Sequence, residues 1–295
     1  VFRDFHRQPH CLIFNTRTLL LLLVAMTLSF TVTTLLAAHH NKSVKKPVVA
    51  SELPVFKLSQ GKTLSQILTQ QRQARVFLVG ETHTRYDHHQ VQLETLKQLH
   101  ENTRDLALGV EWFQQPFQQH LDDYIAGKIS EKQMLHLTEY FERWGYDYRL
   151  YRPVMQYARE HNIPIIALKA STELRKALSN SGISELPAEL KKQLPESYDL
   201  SDKDYEKRLM KVLEQHPNYK GTFESFLRGQ LTWDESMAER TAEYLMQNPG
   251  SRMLVLAGAG HIEFGSGIPN RIKRRIDVKL VSIMVAEGML GISCV

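Results

Sequence analysis

Five short apolar runs, set apart by segments of helical periodicity, constrain this chain more than any other feature. They are RVFLVG (75–80), LALGVEWF (106–113), IPIIALKA (163–170), RMLVLAG (252–258) and VKLVSIMVA (278–286). Each is strand-length, rich in Val, Ile and Leu, and shows no polar alternation, which is the pattern of strands buried on both faces. The segments between them read as amphipathic helices. Leu64, Ile67 and Leu68 mark one over 63–73, and Val91, Leu93, Leu96 and Leu99 mark another over 88–100. Further helices are expected over 114–126 (stopped by Gly127), 151–161, 232–247 and 268–276. The helix over 232–247 has Thr232 and Glu235 in capping-box spacing. Strand alternating with helix predicts an α/β fold, a mainly parallel sheet flanked by helices. Residues 171–230 contain no strand candidate, only Lys, Glu and Leu broken by Pro187, Pro195 and Pro217. They read as a smaller helical cap or insertion.

Two of the runs end alike. VFLVGETH closes on Gly80, Glu81, Thr82 and His83, and MLVLAGAGH closes on Gly258, Ala259, Gly260 and His261. Ligands of parallel sheets bind beyond the carboxyl ends of the strands. Glu81, His83, Glu111, Lys169 and His261 should therefore emerge along one rim. The glycines Gly80, Gly258 and Gly260 allow a sharp turn or a close approach to a ligand. Two kinds of chemistry suit the set Glu81, His83, Glu111 and His261. His83, Glu111 and His261 can ligate a divalent metal whose bound water is activated for hydrolysis. Alternatively a carboxylate orients a histidine as general base without metal. A third reading is structural, with Glu81 capping a helix and His83 satisfying loop carbonyls. His88 and His89 open the next helix, where one faces the rim or both lie on an exposed helix start. H-E-x-x-H, G-x-S-x-G and a phosphate-binding loop are absent, and GAGHIEFG fails as a dinucleotide fingerprint because His261 stands where the helix should open.

A second cluster is aromatic. YFERWGYDYRLYRP (140–153) gathers Tyr140, Phe141, Trp144, Tyr146, Tyr148 and Tyr151 with Arg143, Arg149 and Arg152. Flat rings suit a planar macrocycle, arginine suits its propionates, and a tyrosinate can ligate haem iron. The plainer alternative is a packed loop with Tyr hydroxyls at the surface.

The N-terminal part reads as a targeting segment. Arg3, Arg7 and Arg17 precede an uncharged stretch of 21 residues, 18–38. That is a signal-peptide pattern, yet long enough to span a bilayer as an uncleaved anchor. The basic flank comes first, so the remainder should lie outside the cytoplasm, in the periplasm or anchored facing it. Residues 39–54 read as a linker, and 55–290 as one α/β domain containing the helical insertion. Membrane contact is expected only through the N-terminal segment. Cys11 precedes the apolar stretch and Cys294 lies far from it, so no intrachain disulfide is expected. Without residues 1–38 the chain carries 34 Lys and Arg against 31 Asp and Glu, a balance too even for a nucleic-acid binder. RIKRR (271–275) is the one dense basic run, and it reads as a solvated helix face.

Taken in order, VFLVGETHTRYDHHQVQ, LALGVEWFQQPFQQHLDDYIAGKIS, YRPVMQYAREHNIPIIALKA and MLVLAGAGHIEFGSGIP resemble the ChaN-like haem-binding uptake family. That family is related to the Tiki and erythromycin-esterase-like folds. The resemblance runs from about Leu58 to about Ala286. It implies an α/β sandwich with a smaller helical region, in a bacterial envelope protein of haem or iron acquisition. It also implies haem held between protomers through tyrosine, hence a homodimer, with a haem-uptake receptor system as a further partner; the stretch from Tyr148 to Pro153 matches the family's aromatic-Tyr-Arg-Pro segment, which makes Tyr148 or Tyr151 the expected ligand, with Trp144, Arg152 and His88 as further haem contacts. From the Tiki relatives it implies, as the alternative function, a metal-dependent hydrolase using Gly80 with His83, Gly258 with His261, and Glu111. Two departures stand out. LLAAHH lacks the cysteine that lipid anchoring requires, and Lys169 stands where the family often has asparagine, putting a cation beside the expected metal.

Overall fold

Alternate side chains of the first strand go to opposite faces of the sheet, and both faces are covered. Phe77 and Val79 of β1 (Val76–Glu81) join one apolar core, whereas Val76 and Leu78 join another. The computed structural model describes residues 63–181, 183–214, 217–285 and 292–294. The expected targeting segment, the linker and Cys11 lie outside them.

The remaining strands are β2 (Leu106–Gln114), β3 (Ile165–Lys169), β4 (Arg252–Gly258), β5 (Leu280–Val285) and β6 (Ile292–Cys294). Their order in the sheet is β3-β2-β4-β1-β5-β6. The first five are parallel, and β6, which the sequence did not announce, pairs antiparallel with β5. One face carries α1 (Leu64–Gln70), α2 (Tyr86–Asn102), α3 (Gln118–Ile125), α4 (Glu131–Leu137) and α6 (Tyr148–Glu160), the last preceded by the single turn α5 (Tyr140–Arg143). Between β3 and β4 come α7 (Thr172–Ser181), α8 (Ala188–Lys191), α9 (Lys203–Glu214) and α10 (Phe223–Gln247). The other face of the sheet is covered by α10 and by α11 (Ile268–Arg275). Among the described residues no helix is long and apolar enough to cross a membrane.

Strand order decides what meets at the rim. β4 is inserted between β1 and β2, and its register sets Glu81 opposite Gly258. The two G-x-x-H endings, far apart in sequence, are thus neighbours. Along β2 the pairing with β3 shifts between Val110 and Gln114. Such an irregularity at a strand end re-aims side chains, and Glu111 sits within it.

Three local expectations are corrected. First, the long helix starts at Phe223, not Thr232: the Thr222 side chain caps it by accepting from Ser225 N. Thr232 is buried within it and bonds back to the Arg228 carbonyl at 2.7 Å, while Glu235 is fully buried. Second, Gly80 and Gly258 do not make turns, since neither has a positive φ. They are small because neighbours press on them. A Cβ on Gly80 would stand 2.6 Å from Met284 Sδ, and one on Gly258 would stand 2.9 Å from His83 Cε1.

Third, RIKRR is not a solvated face. Glu235 lies in the α10–α11 interface with Arg271 Nε at 3.1 Å, and Arg274 Nη2 and Arg275 Nη1 each at 2.6 Å. Arg271 itself is 2% exposed. A desolvated carboxylate needs such partners, and the guanidinium groups need it in turn. Glu235→Ala removes the one carboxylate that all three share and should cost about 3–5 kcal/mol. Urea unfolding measures this, and a loss below about 1 kcal/mol would mark the cluster as solvated after all.

Candidate functional site

At the carboxyl end of β1, Glu81 is buried and faces two imidazoles. His83 Nδ1 lies 2.8 Å from Oε1, and His89 Nε2 lies 2.9 Å from Oε2. The Tyr151 hydroxyl adds a donor to Oε1 at 3.3 Å. Burial raises the Glu81 carboxyl, but the His83 and His89 hydrogen bonds outweigh it and hold the group below its ordinary value. His89 is buried as well, with Nδ1 3.0 Å from Gln92 Oε1. Both its nitrogens thus face acceptors, as an imidazolium requires. Burial alone would lower His89, yet Glu81 raises it above the usual histidine value.

A second buried carboxylate, Glu111, organises the ends of β3 and β4. Its Oε1 takes Lys169 Nζ at 3.1 Å and lies 3.5 Å from His261 Nε2, and its Oε2 accepts the Gly258 N–H at 2.8 Å. Burial raises this carboxyl too, and the Lys169 and His261 charges overcome it and hold it well below the usual range. Behind His261, Asp234 of α10 accepts from Nδ1 at 2.5 Å and from the Tyr205 hydroxyl at 2.5 Å. Burial pulls His261 down, but Asp234 and Glu111 on either side push it up to about 10. Both ring nitrogens thus face carboxylates, Nδ1 in a hydrogen bond to Asp234 and Nε2 in a longer ion-pair contact with Glu111.

These groups floor one cavity of about 720 Å³. Its walls are aromatic. The His83 ring rests against Trp144 and Tyr146, with centroids 4.8 and 4.5 Å away. The Lys169 ammonium lies between two indoles, 4.4 Å from the Trp144 centroid and 4.2 Å from that of Trp233. Arg143, Arg175 and Lys176 stand at its edge.

The structure brings His83, Glu111 and His261 to one cavity, with Glu81 directly behind His83. It does not make them a metal site. Among the described residues no group of three or more His, Cys, Asp or Glu side chains is placed to hold a metal. Both Glu111 oxygens are engaged, Oε1 by the Lys169 ammonium and Oε2 by the Gly258 amide. The divalent-metal expectation finds no support among the described residues.

The haem candidates separate. Trp144 lines the rim cavity. Tyr148, Tyr151, Met155 and Ala158 form a buried stripe on α6, and Asp147 caps that helix by accepting from Arg149 N. Tyr151 thus lies beneath the cavity with its hydroxyl on Glu81. Tyr148 borders a separate hollow of about 600 Å³ with Phe141, Arg149 and Arg152, its hydroxyl 3.5 Å from Glu131, which also pairs with Arg152. Burial pushes both phenols far above the ordinary tyrosine value. His88 is buried behind β1, its Nδ1 accepting the Thr82 N–H at 3.0 Å, and it does not line the cavity. Sequence reasoning missed Asp234 and Trp233. Both sit on a helix whose start was misplaced, and nothing local to α10 announces a partner 27 residues on.

The family model described as haem-binding uptake, Tiki superfamily, ChaN matches residues 67–272. The chain belongs to this family. Among solved structures it is similar to ChaN of Campylobacter jejuni, described with cofacial haem binding, at 16% identity over 78% of this chain and 89% of that one, with a TM-score of 0.61. Two further matches each score 0.46. One is RRSP, a MARTX toxin effector domain from Vibrio vulnificus (16% identity, 79% of this chain, 37% of that one). The other is an erythromycin esterase in its open conformation (14% identity, 78% of each chain). At these identities the likeness is one of fold. No curated protein sequence matches the chain.

The His261 pair fixes the sign of a pH effect. Its raised value means the stabilisation is complete below the unfolded histidine value and is lost as pH rises towards about 10. Urea midpoints should therefore fall between pH 7 and pH 10, and Asp234→Asn should flatten that fall. An equal slope in the variant would contradict the assignment.

Proposed function

We propose that this family member is an exported haem-binding protein of haem or iron uptake, and that it holds haem in the rim cavity. A volume of about 720 Å³ lies within the range of ligand pockets. Trp144, Tyr146 and Trp233 offer flat apolar walls, and Arg175 and Lys176 offer cations to the propionates. The observation that carries the reading is Tyr146. Of the tyrosines in the 140–151 stretch, it alone lines the cavity. Its ring stands against His83, which Glu81 orients from behind.

Tyr146 is the iron ligand in this reading, in place of Tyr148 or Tyr151, whose hydroxyls are committed to carboxylates. Burial raises the Tyr146 phenol, and Glu111 and Glu81 raise it further. Ligation must therefore release a proton, and the His83 imidazole, backed by Glu81, is the neighbouring group to take it. When bound, haem supplies the iron that the phenolate ligates. The location, in the periplasm or anchored facing it, rests on the basic-then-apolar N-terminal segment. A homodimer and a receptor that delivers or accepts haem complete the proposal, and both follow from the family resemblance.

Haemin titration tests it by the Soret band. The wild-type chain should give a saturable shift with a high-spin tyrosinate spectrum, kept in Tyr148→Phe and lost in Tyr146→Phe. Loss in Tyr148→Phe with retention in Tyr146→Phe would move the ligand to the outer hollow. No Soret shift in wild type would end the haem reading.

A further inference from the structure

Beside the rim cavity lies a second hollow of about 690 Å³, lined by Arg175, Lys176, Lys220 and Arg228 together with Tyr219 and Ser225. No carboxylate is among the described residues that line it. Arg175 and Lys176 line both spaces, so the two are neighbours that share a wall. The Arg175 guanidinium carbon lies 5.2 Å from the Trp233 centroid, on the same indole that walls the rim cavity. The loop that shapes the hollow is tightly built. Tyr219 and Ser225 share a hydroxyl hydrogen bond of 2.9 Å, and a Cβ on Gly221 would come within 2.7 Å of both side chains. Two acids outside the lining act on its cations: Glu173, which pairs with Arg143 at 3.0 Å, also feels Lys176, and Glu224, which accepts from the Thr222 hydroxyl, also feels Arg228. Four like charges around one concave space, with no carboxylate among the described residues of its lining, focus a field that an anion relieves.

We propose that this hollow takes the anionic arms of the ligand whose flat body occupies the rim cavity. The inference rests on the haem reading and adds to it. Trp144, Tyr146 and Trp233 face the ring system, while Lys220 and Arg228, from the loop before α10 and its second turn, read the carboxylates. The required ligand class is a planar aromatic with at least two anionic groups on one edge. Carboxylates of a porphyrin and phosphates of a smaller aromatic share that chemistry.

Lys220 and Arg228 are exposed and lie outside the rim machinery, so Lys220→Ala/Arg228→Ala should fold normally. The experiment compares haemin with its dimethyl ester, which lacks the anionic arms, on wild type and this variant. The variant should bind haemin about tenfold more weakly and the ester as wild type does. Equal haemin affinity in both proteins, or equal weakening towards haemin and ester, would overturn the inference while leaving haem binding in place. If wild type binds no haemin, the haem reading fails, and pyrophosphate titrated against tryptophan fluorescence then decides. A saturable change lost in the variant would sustain the hollow as a phosphate site, and no change would overturn it.

Discussion

The rim depends on a carboxylate buried away from solvent. Glu111 lies in the irregular last part of β2, buried in the sheet, where an unpaired charge costs several kcal/mol. Everything close to it is arranged to meet that demand: the Lys169 ammonium from β3, the Gly258 amide from β4, and the imidazolium of His261, itself held by Asp234. Gly258 has no side chain because the His83 ring and the Glu111 carboxylate need the space. The same demand draws α10 onto the rim, since Asp234 belongs to that helix and also takes the Tyr205 hydroxyl from α9.

Such a centre is neutralised from within. Its cations are side chains, and they are also what makes the walls hold together, because Lys169 is clasped between Trp144 and Trp233. What remains for a ligand is a cavity with flat aromatic sides, an open phenol at Tyr146 and positive charge towards the cap. That is a poor cage for a small dication and a good slot for a flat anion. The family to which the chain belongs points the same way.

Most of the architecture was legible in the sequence because strands buried on both faces cannot hide: their apolar runs are continuous, and their polar endings are abrupt. The convergence of His83, Glu111 and His261 followed from parallel direction alone. What was not legible was partnership. RIKRR reads as solvated until Glu235 is seen opposite it on another helix. Tyr148 and Tyr151 read as ligands within an aromatic cluster. Their spacing with Met155 and Ala158, three, four and three residues apart, was the overlooked sign of a buried helical stripe. Lys169 was visible as a competitor for a metal, but its salt bridge to Glu111 and its seat between two indoles depend on side chains from β2, α10 and the loop before α6.

The account stands most directly on the claim that Lys169 and a protonated His261 already occupy Glu111. Zinc titrated calorimetrically into the chelator-treated chain at pH 7 tests this. The account predicts no stoichiometric heat. One tightly bound zinc per chain, abolished by His83→Ala or His261→Ala, would contradict it.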